Sequence, residues 1–329
     1  MRKVSAFFLV FAILAWPRGA MAWGFTGHRT INLVAMQELP DDVPPFLQTP
    51  QAAATIEALG PEMDWLKGSG YSWDHDDDPA HYCDVGDDHK IAGLIALTAL
   101  PADMEAYAAA LAPAQTNPYK EGYLPYSIAD GWEALRKDFA YWRAFDYLSL
   151  HAAANERSEF AKAKALRESL VIHDIGVWGH FVGDGSQPLH ATVHYNDHKI
   201  HALFEGAFVR DNVTAAAVAK LVPSGGPRSG VELISQRELL RQIGVYLLAS
   251  NAEVPTLYQI ARRDGFRKNT PEAVAFATAR VADGARELRD LIVEAYDNSA
   301  YESVGYPVMP VQSILDGKIV PAFKSFGGD

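Results

Sequence analysis

The stretch from His180 to Glu205, HFVGDGSQPLHATVHYNDHKIHALFE, decides how the rest of the chain is read. It contains His180 and Asp184 four positions apart, His190 after Gln187-Pro188-Leu189, and His201 and Glu205 again four apart. On a helix, residues at i and i+4 stand over one another on the same face, so each pair can close on one ion from one direction. Imidazole nitrogen and carboxylate oxygen are ligands that a borderline ion such as zinc accepts. Pro188 is expected to end the first helix and turn His190 back toward the site. One H-x-x-x-D pair alone is usually a surface hydrogen bond. Two pairs with a third histidine at a proline turn say more, and they follow the apolar run Leu170, Val171, Ile172, Ile175, Val177 and Trp178. Polar side chains projecting from such a buried helix need partners inside the protein.

Working outward, 329 residues with 49% hydrophobic content are enough for a sizeable core. The opening MRKVSAFFLVFAILAWPRGAMA has a basic start, an apolar run from Val4 to Trp16, and small residues at Ala20 and Ala22. This pattern predicts a secretory signal over residues 1–22, too short and wrongly flanked for a spanning helix, and hence a periplasmic or secreted protein mature from Trp23. Its removal would take away Arg2, Lys3 and Arg18 and no acid, moving the formal charge from −12 to −15. Such acidity argues against a duplex-DNA binder that neutralises many phosphates, but not against an enzyme whose bound cations supply the local positive charge. Cys83 is the only cysteine, so no internal disulfide can form.

In chain order, Trp23 as a new N-terminus would offer its amine and carbonyl as ligands, with His28 five residues on. Helical patterns run over 30–39, 91–111, 129–153, 156–179, 235–250 and 271–297, with Thr270-Pro271-Glu272 as an N-cap and first turn. No alternating strand stands out, so the expected fold class is all-α, a single multi-helix domain over 23–300 with a coil tail, 301–329, wrapped on it. Residues 61–88 read as an acidic loop from which Asp64, His81, Tyr82 and Asp84 stand out: a histidine, an aromatic and a carboxylate can hold a metal, stack on a planar group and accept its hydrogen bond. Asn117 to Tyr126 reads as a loop, and Pro223 to Gly230 as a turn-rich connection. Of the other histidines, His75, His89 and His151 are expected to be bystanders. His173, two turns before His180, is expected to support the site from behind, and His198 is the rival to His201.

With these residues in hand, the chain resembles the zinc-dependent phospholipase C/P1 nuclease superfamily. The family's opening W-x(4)-H is matched by Trp23 and His28, and its D…H-[FY]-x-D by Asp64, His81, Tyr82 and Asp84. Its H-x-x-G-D-x-x-Q-P-x-H is matched by His180, Gly183, Asp184, Gln187, Pro188 and His190, and its closing H-x-x-x-[DE] by His201 and Glu205. The resemblance implies a nearly all-helical fold with three zinc ions at the base of a cleft. One ion would be held by Asp64, His81, His180 and Asp184, a second by Trp23, His28 and the bridging Asp184, and a third by His190, His201 and Glu205. Asp64 would also touch the attacking water. The implied activity is phosphodiester hydrolysis by metal-activated water.

Two branches of the family remain open at this point. Lys67, three after Asp64, stands where the nuclease branch has an arginine that stabilises the phosphate, and Tyr82 and Asp84 would stack on and hydrogen-bond a base. Glu205 in place of Asp, and only eleven positions from His190 to His201, lean toward the phospholipase branch. The expected substrate is single-stranded nucleic acid, with phospholipid head groups as the alternative and a zinc-structured protein without activity as a third reading. A monomer without an obligate protein partner is expected.

Overall fold

The computed structural model describes residues 23–67, 70–225 and 233–327. The expected signal segment and most of the Pro223–Gly230 connection lie outside the described residues. The principal helices among the described residues are α1 (Gly24–Gln37), α2 (Pro50–Leu59), α3 (Met104–Leu111), α4 (Leu124–His151), α5 (Arg157–Gly185), α6 (Gln236–Asn251), α7 (Val254–Arg262), α8 (Pro271–Ser299) and α9 (Val311–Leu315). The only strands among the described residues are two short antiparallel pairs, β1 (Lys90–Ile91) with β2 (Ile95–Ala96) and β3 (Ser303–Val304) with β4 (Met309–Pro310). The protein is therefore mostly helical, as an all-α class requires. No described helix is long and apolar enough to cross a membrane.

Helices α4 and α5 pack along each other after a short connection; α8 packs on both of them and on α1, which itself packs on α5. The second half of α5 is the inner wall of this bundle, burying Val171, Ile175, Gly176, Trp178, Gly179, Val182 and Gly183. Glycine at 179 is what lets α1 come so close, since a Cβ there would lie 2.2 Å from Asn32 Oδ1. Asn32 uses that approach to clamp three helices, donating to Ile56 O (2.8 Å) on α2 and to Gly176 O (2.9 Å) on α5. Thr270 caps α8 as its sequence suggests, accepting from Ala273 N with Pro271 in the first turn.

Three expectations are corrected. Residues 91–111 are not one helix: Gly93 and Ala92 adopt positive φ in the turn joining β1 to β2, and only α3 is helical beyond a short turn at Leu97–Ala99. The acidic loop contains helical turns at Glu62–Trp65, Asp74–Asp77 and Asp78–His81, and the loop at 117–126 contains a turn of helix, Pro118–Glu121, before α4 begins. The tail is not coil. Val304, Met309, Val311 and Ile314 build a second apolar cluster with Ala144, Phe145 and Leu148 of α4 and Phe160 of α5. Pro310 ends β4 and stands as the N-cap of α9, where no helical main-chain donor is needed, and Pro307 lies in the turn between β3 and β4.

Candidate metal centre

Six local segments deliver their polar side chains to one place at the C-terminal end of α5. The last turns of that helix carry His180 and Asp184, with His180 Nε2 3.4 Å from Asp184 Oδ2. The second turn of α1 supplies His28, whose ring stacks on His180 at 3.8 Å and whose Nε2 is 3.5 Å from Asp184 Oδ1. The turn Glu62–Trp65 brings Asp64 to 3.6 Å from His180 Nε2, and the turn Asp78–His81 brings His81 Nδ1 to 2.9 Å from Asp184 Oδ2. The turn Pro188–His190 brings His190, Nδ1 3.7 Å from Asp184 Oδ1, and beyond it stand His201 and Glu205. All eight side chains are buried.

They form three groups, His28-His180-Asp184, Asp64-His81-His180 and His190-His201-Glu205, each with ligand atoms within 4.8 Å of one another, and each could hold a metal ion. The state of their polar atoms supports this. Buried and without a hydrogen-bond partner are both ring nitrogens of His28, Nδ1 of His201, Nε2 of His81, Oδ2 of Asp64, Oδ1 of Asp184 and Oε1 of Glu205. Buried polar atoms are normally paired, so this concentration of unmade bonds leaves atoms free to take an ion. His201 Nε2 lies 2.8 Å from Glu205 Oε2, so the ring and the carboxylate face the same point. Nδ1 of His180 meets Gly60 O at 2.9 Å and Nδ1 of His190 meets His81 O at 2.7 Å, which leaves each Nε2 facing inward. Gln187 Nε2 donates to Glu205 Oε2 at 3.0 Å and fixes that carboxylate.

Charge follows geometry. Burial pushes the imidazoles of His28 and His81 well below their usual range, keeping them neutral as ligands must be; for His28 the neighbouring His180 adds to this, and for His81 the Lys67 ammonium does. Burial disfavours an ionised Asp184, but His180 and His190 outweigh it and hold the carboxyl well below the usual carboxylate range. Burial likewise opposes ionisation of Glu205, and His201 and His190 overcome it. Lys67 Nζ lies 2.7 Å from Asp64 Oδ1; burial works against its charge, and Asp64 with Asp184 restores it.

Trp23 is buried against the same helix end, its indole Nε1 donating to Gly183 O at 2.8 Å and Ser186 Oγ at 2.9 Å, with its main chain one turn before His28. Tyr82 and Asp84 line a cavity of about 440 Å³ that opens beside the centre, together with Lys67, Asp78, His81, His190 and His201. Burial and then Glu121 raise the Asp84 carboxyl to about 7, and burial and then Asp84 raise the Tyr82 hydroxyl to about 12. The same cavity is lined by Lys120 and Tyr195, which the sequence did not single out. Lys120 lies on the short helical turn Pro118–Glu121 and Tyr195 in an irregular segment, and only the fold brings either near the centre.

Several local readings change. α5 ends at Gly185, three residues before Pro188, with Ser186 as its C-cap, so the proline starts the next turn instead of breaking the helix. Glu205 is on a π-helical turn, Leu203–Phe208, and not on a regular α-helix. Such wide turns collect at functional sites because they re-aim a side chain. His173 does not support the centre: its side chain is 62% exposed and pairs with Asp174. His201 occupies the third group, and the side chain of His198 is outside the described part of the structure. His194 instead bridges Asp87 (3.1 Å) and Asp197 (3.0 Å) at the surface.

No family model matches the chain, and no curated protein or solved structure is significantly similar to it.

Proposed function

We propose that this protein is a metal-dependent phosphodiesterase of the phospholipase C/P1 nuclease kind, acting on single-stranded nucleic acid with three zinc ions. The observation that carries the reading is the cluster of partnerless buried nitrogen and oxygen atoms around Asp184, beside a tyrosine-lined cavity. Zinc bound in these groups would supply a water of lowered pKa and positive charge for the phosphate oxygens. Asp64, in the Asp64-His81-His180 group, would orient that water. Lys67, held by Asp64, would meet the charge that develops on the phosphate, as a point charge and not the two-pronged contact of arginine. In the cavity, Tyr82 presents a ring for a base to stack on, and Asp84 a carboxyl that accepts from the base when ionised and donates when protonated. Export and cleavage after Ala22 belong to the same proposal, because they would free the Trp23 amine one helical turn from His28.

A phosphatidylcholine-type phospholipase C is the second reading, favoured by Glu205 as the last carboxylate of the set. Purified zinc-loaded protein assayed on single-stranded DNA, RNA and phosphatidylcholine micelles separates the two: nucleic-acid cleavage is expected, lost on chelation and restored by zinc. Lipid cleavage alone would reverse the preference. Tight zinc binding with no hydrolysis of either substrate would leave only a structural role for the ions.

A further inference from the structure

Two of the elements that carry the metal centre each turn a ligand inward and a large ring outward. Trp65 follows Asp64 in the turn Glu62–Trp65 and is 65% exposed; Phe25 stands three residues before His28 on α1 and is 44% exposed. Their rings meet edge to face with centroids 6.5 Å apart. Neither lines the cavity that holds Tyr82 and Asp84. Arg29, exposed and one turn after Phe25 on the same face of α1, makes no ion pair among the described residues. An indole left in water beside a reaction centre forgoes burial that most tryptophans obtain, and its neighbours here are the ligand Asp64 and, two residues on, Lys67.

We propose that Phe25 and Trp65 form a second base-stacking platform, so that a single strand crossing the metal centre lays one base in the Tyr82 cavity and another over this pair, with Arg29 meeting a phosphate between or beyond them. The inference rests on the nuclease reading above and adds to it that recognition extends past the nucleotide in the cavity. Flat π-faces with a nearby guanidinium are the chemistry of sequence-tolerant single-strand binding. A lipid interface fits less well. Trp73, the next exposed indole along the chain, is followed by Asp74, Asp76, Asp77 and Asp78, and Asp78 lines the cavity beside the centre with Lys67, so a membrane seated there would strip water from acidic groups. Stacking needs only the faces of two rings.

The test is substrate-length dependence on oligothymidylates of two to six nucleotides, for the zinc-loaded wild type and the variants Trp65→Ala, Trp65→Phe and Phe25→Ala, with zinc content measured in each. The wild type should gain in kcat/KM as the strand reaches the second platform, and each alanine variant should lose about tenfold of that gain. Trp65→Phe should recover most of it. Oligonucleotide binding should quench wild-type tryptophan fluorescence, and that quench should be absent in Trp65→Phe. An unchanged length gain in both alanine variants with full zinc content would overturn the platform. So would variants that cut oligonucleotides normally yet bind phosphatidylcholine vesicles less well, which would hand the rim to lipid. A zinc-loaded wild type that hydrolyses bis-p-nitrophenyl phosphate but no oligonucleotide would instead remove the nuclease reading, and this inference with it.

Discussion

The carboxylate of Asp184 is the joint of the centre, and Asp184→Asn tests it most directly. Its oxygens lie within 3.7 Å of imidazole nitrogens on His28, His81, His180 and His190, so one substitution removes a ligand of the His28-His180-Asp184 group and disturbs the Asp64-His81-His180 group through the two histidines it contacts there. The variant should keep only the ion at His190-His201-Glu205. Each bound ion at a free concentration 100 times its Kd adds about 2.7 kcal/mol to folding stability, so saturating zinc should stabilise the wild type by about 8 kcal/mol and the variant by about 3. For a chain of this length, at about 2 °C per kcal/mol, the zinc-induced rise in Tm should fall from about 16 °C to about 5 °C. Comparing each protein with and without zinc removes the separate cost, about 3–5 kcal/mol, of leaving buried imidazoles without their carboxylate. Zinc stoichiometry by elemental analysis, thermal unfolding with and without chelator, and hydrolysis of a soluble phosphodiester give three independent readings. Activity should fall by more than about 100-fold, since losing even a group that only orients a ligand costs that order. A variant that binds three ions per chain and hydrolyses at the wild-type rate would show that the centre is not built around this carboxylate.

Lys67→Ala should lower kcat by about 10²- to 10³-fold at unchanged zinc content, while Lys67→Arg restores most of it; an unaltered kcat in the alanine variant would remove Lys67 from the chemistry. Gln187→Leu breaks the hydrogen bond to Glu205 and should weaken one of three zinc affinities by about 10- to 100-fold, measured by competition with a chelator, with no change in the other two. Away from the centre, Glu287 and Glu294, half-buried on α8 in the cleft it lines with α6, have their carboxyls raised to about 8 and about 7, chiefly by burial and then, for both, by the like charge of Asp290. Between the unfolded carboxylate range near 4.5 and these raised values the folded state binds more protons than the unfolded one. Stability should therefore fall as pH rises from about 5 to about 8, and Glu287→Gln should flatten that slope by up to about 1.4 kcal/mol per pH unit. Urea unfolding across that range decides it: a steeper or unchanged slope in the variant would contradict the assignment.

Much of the helical framework is legible before any coordinates, because helices α4, α5, α6 and α8 carry apolar residues at three- and four-residue spacing and α8 carries its own cap. What local pattern cannot reveal is where irregular segments go. The turn of β1 and β2 has helix-forming alanines and leucines nearby, and it is set by positive φ at Ala92 and Gly93 and by packing of Ile91 and Ile95 into the core. The π-turn at Leu203–Phe208 buries Phe204, Glu205 and Phe208 together, a choice made by their neighbours and not by their propensities. His173 shows the same limit in reverse: two turns from His180 puts it near the same face, yet α5 is buried only toward its C-terminal end at that face, and the side chain reaches solvent.

The amino-acid order alone determined the ligand inventory, since histidine and carboxylate at four-residue spacing can share one ion whichever fold surrounds them. It also determined the helical periods and the acidic balance. Tertiary structure decided which of those side chains meet. Asp64, His81 and His180 are brought together across more than a hundred positions by the close approach of α1, α2 and α5 that Asn32 and Gly179 permit. Tertiary structure also decided that Lys120 and Tyr195 line the cavity and that Phe25 and Trp65 stand outside it. Spacing along a chain reports only contacts within a few turns, whereas a centre of this kind is closed by long-range packing.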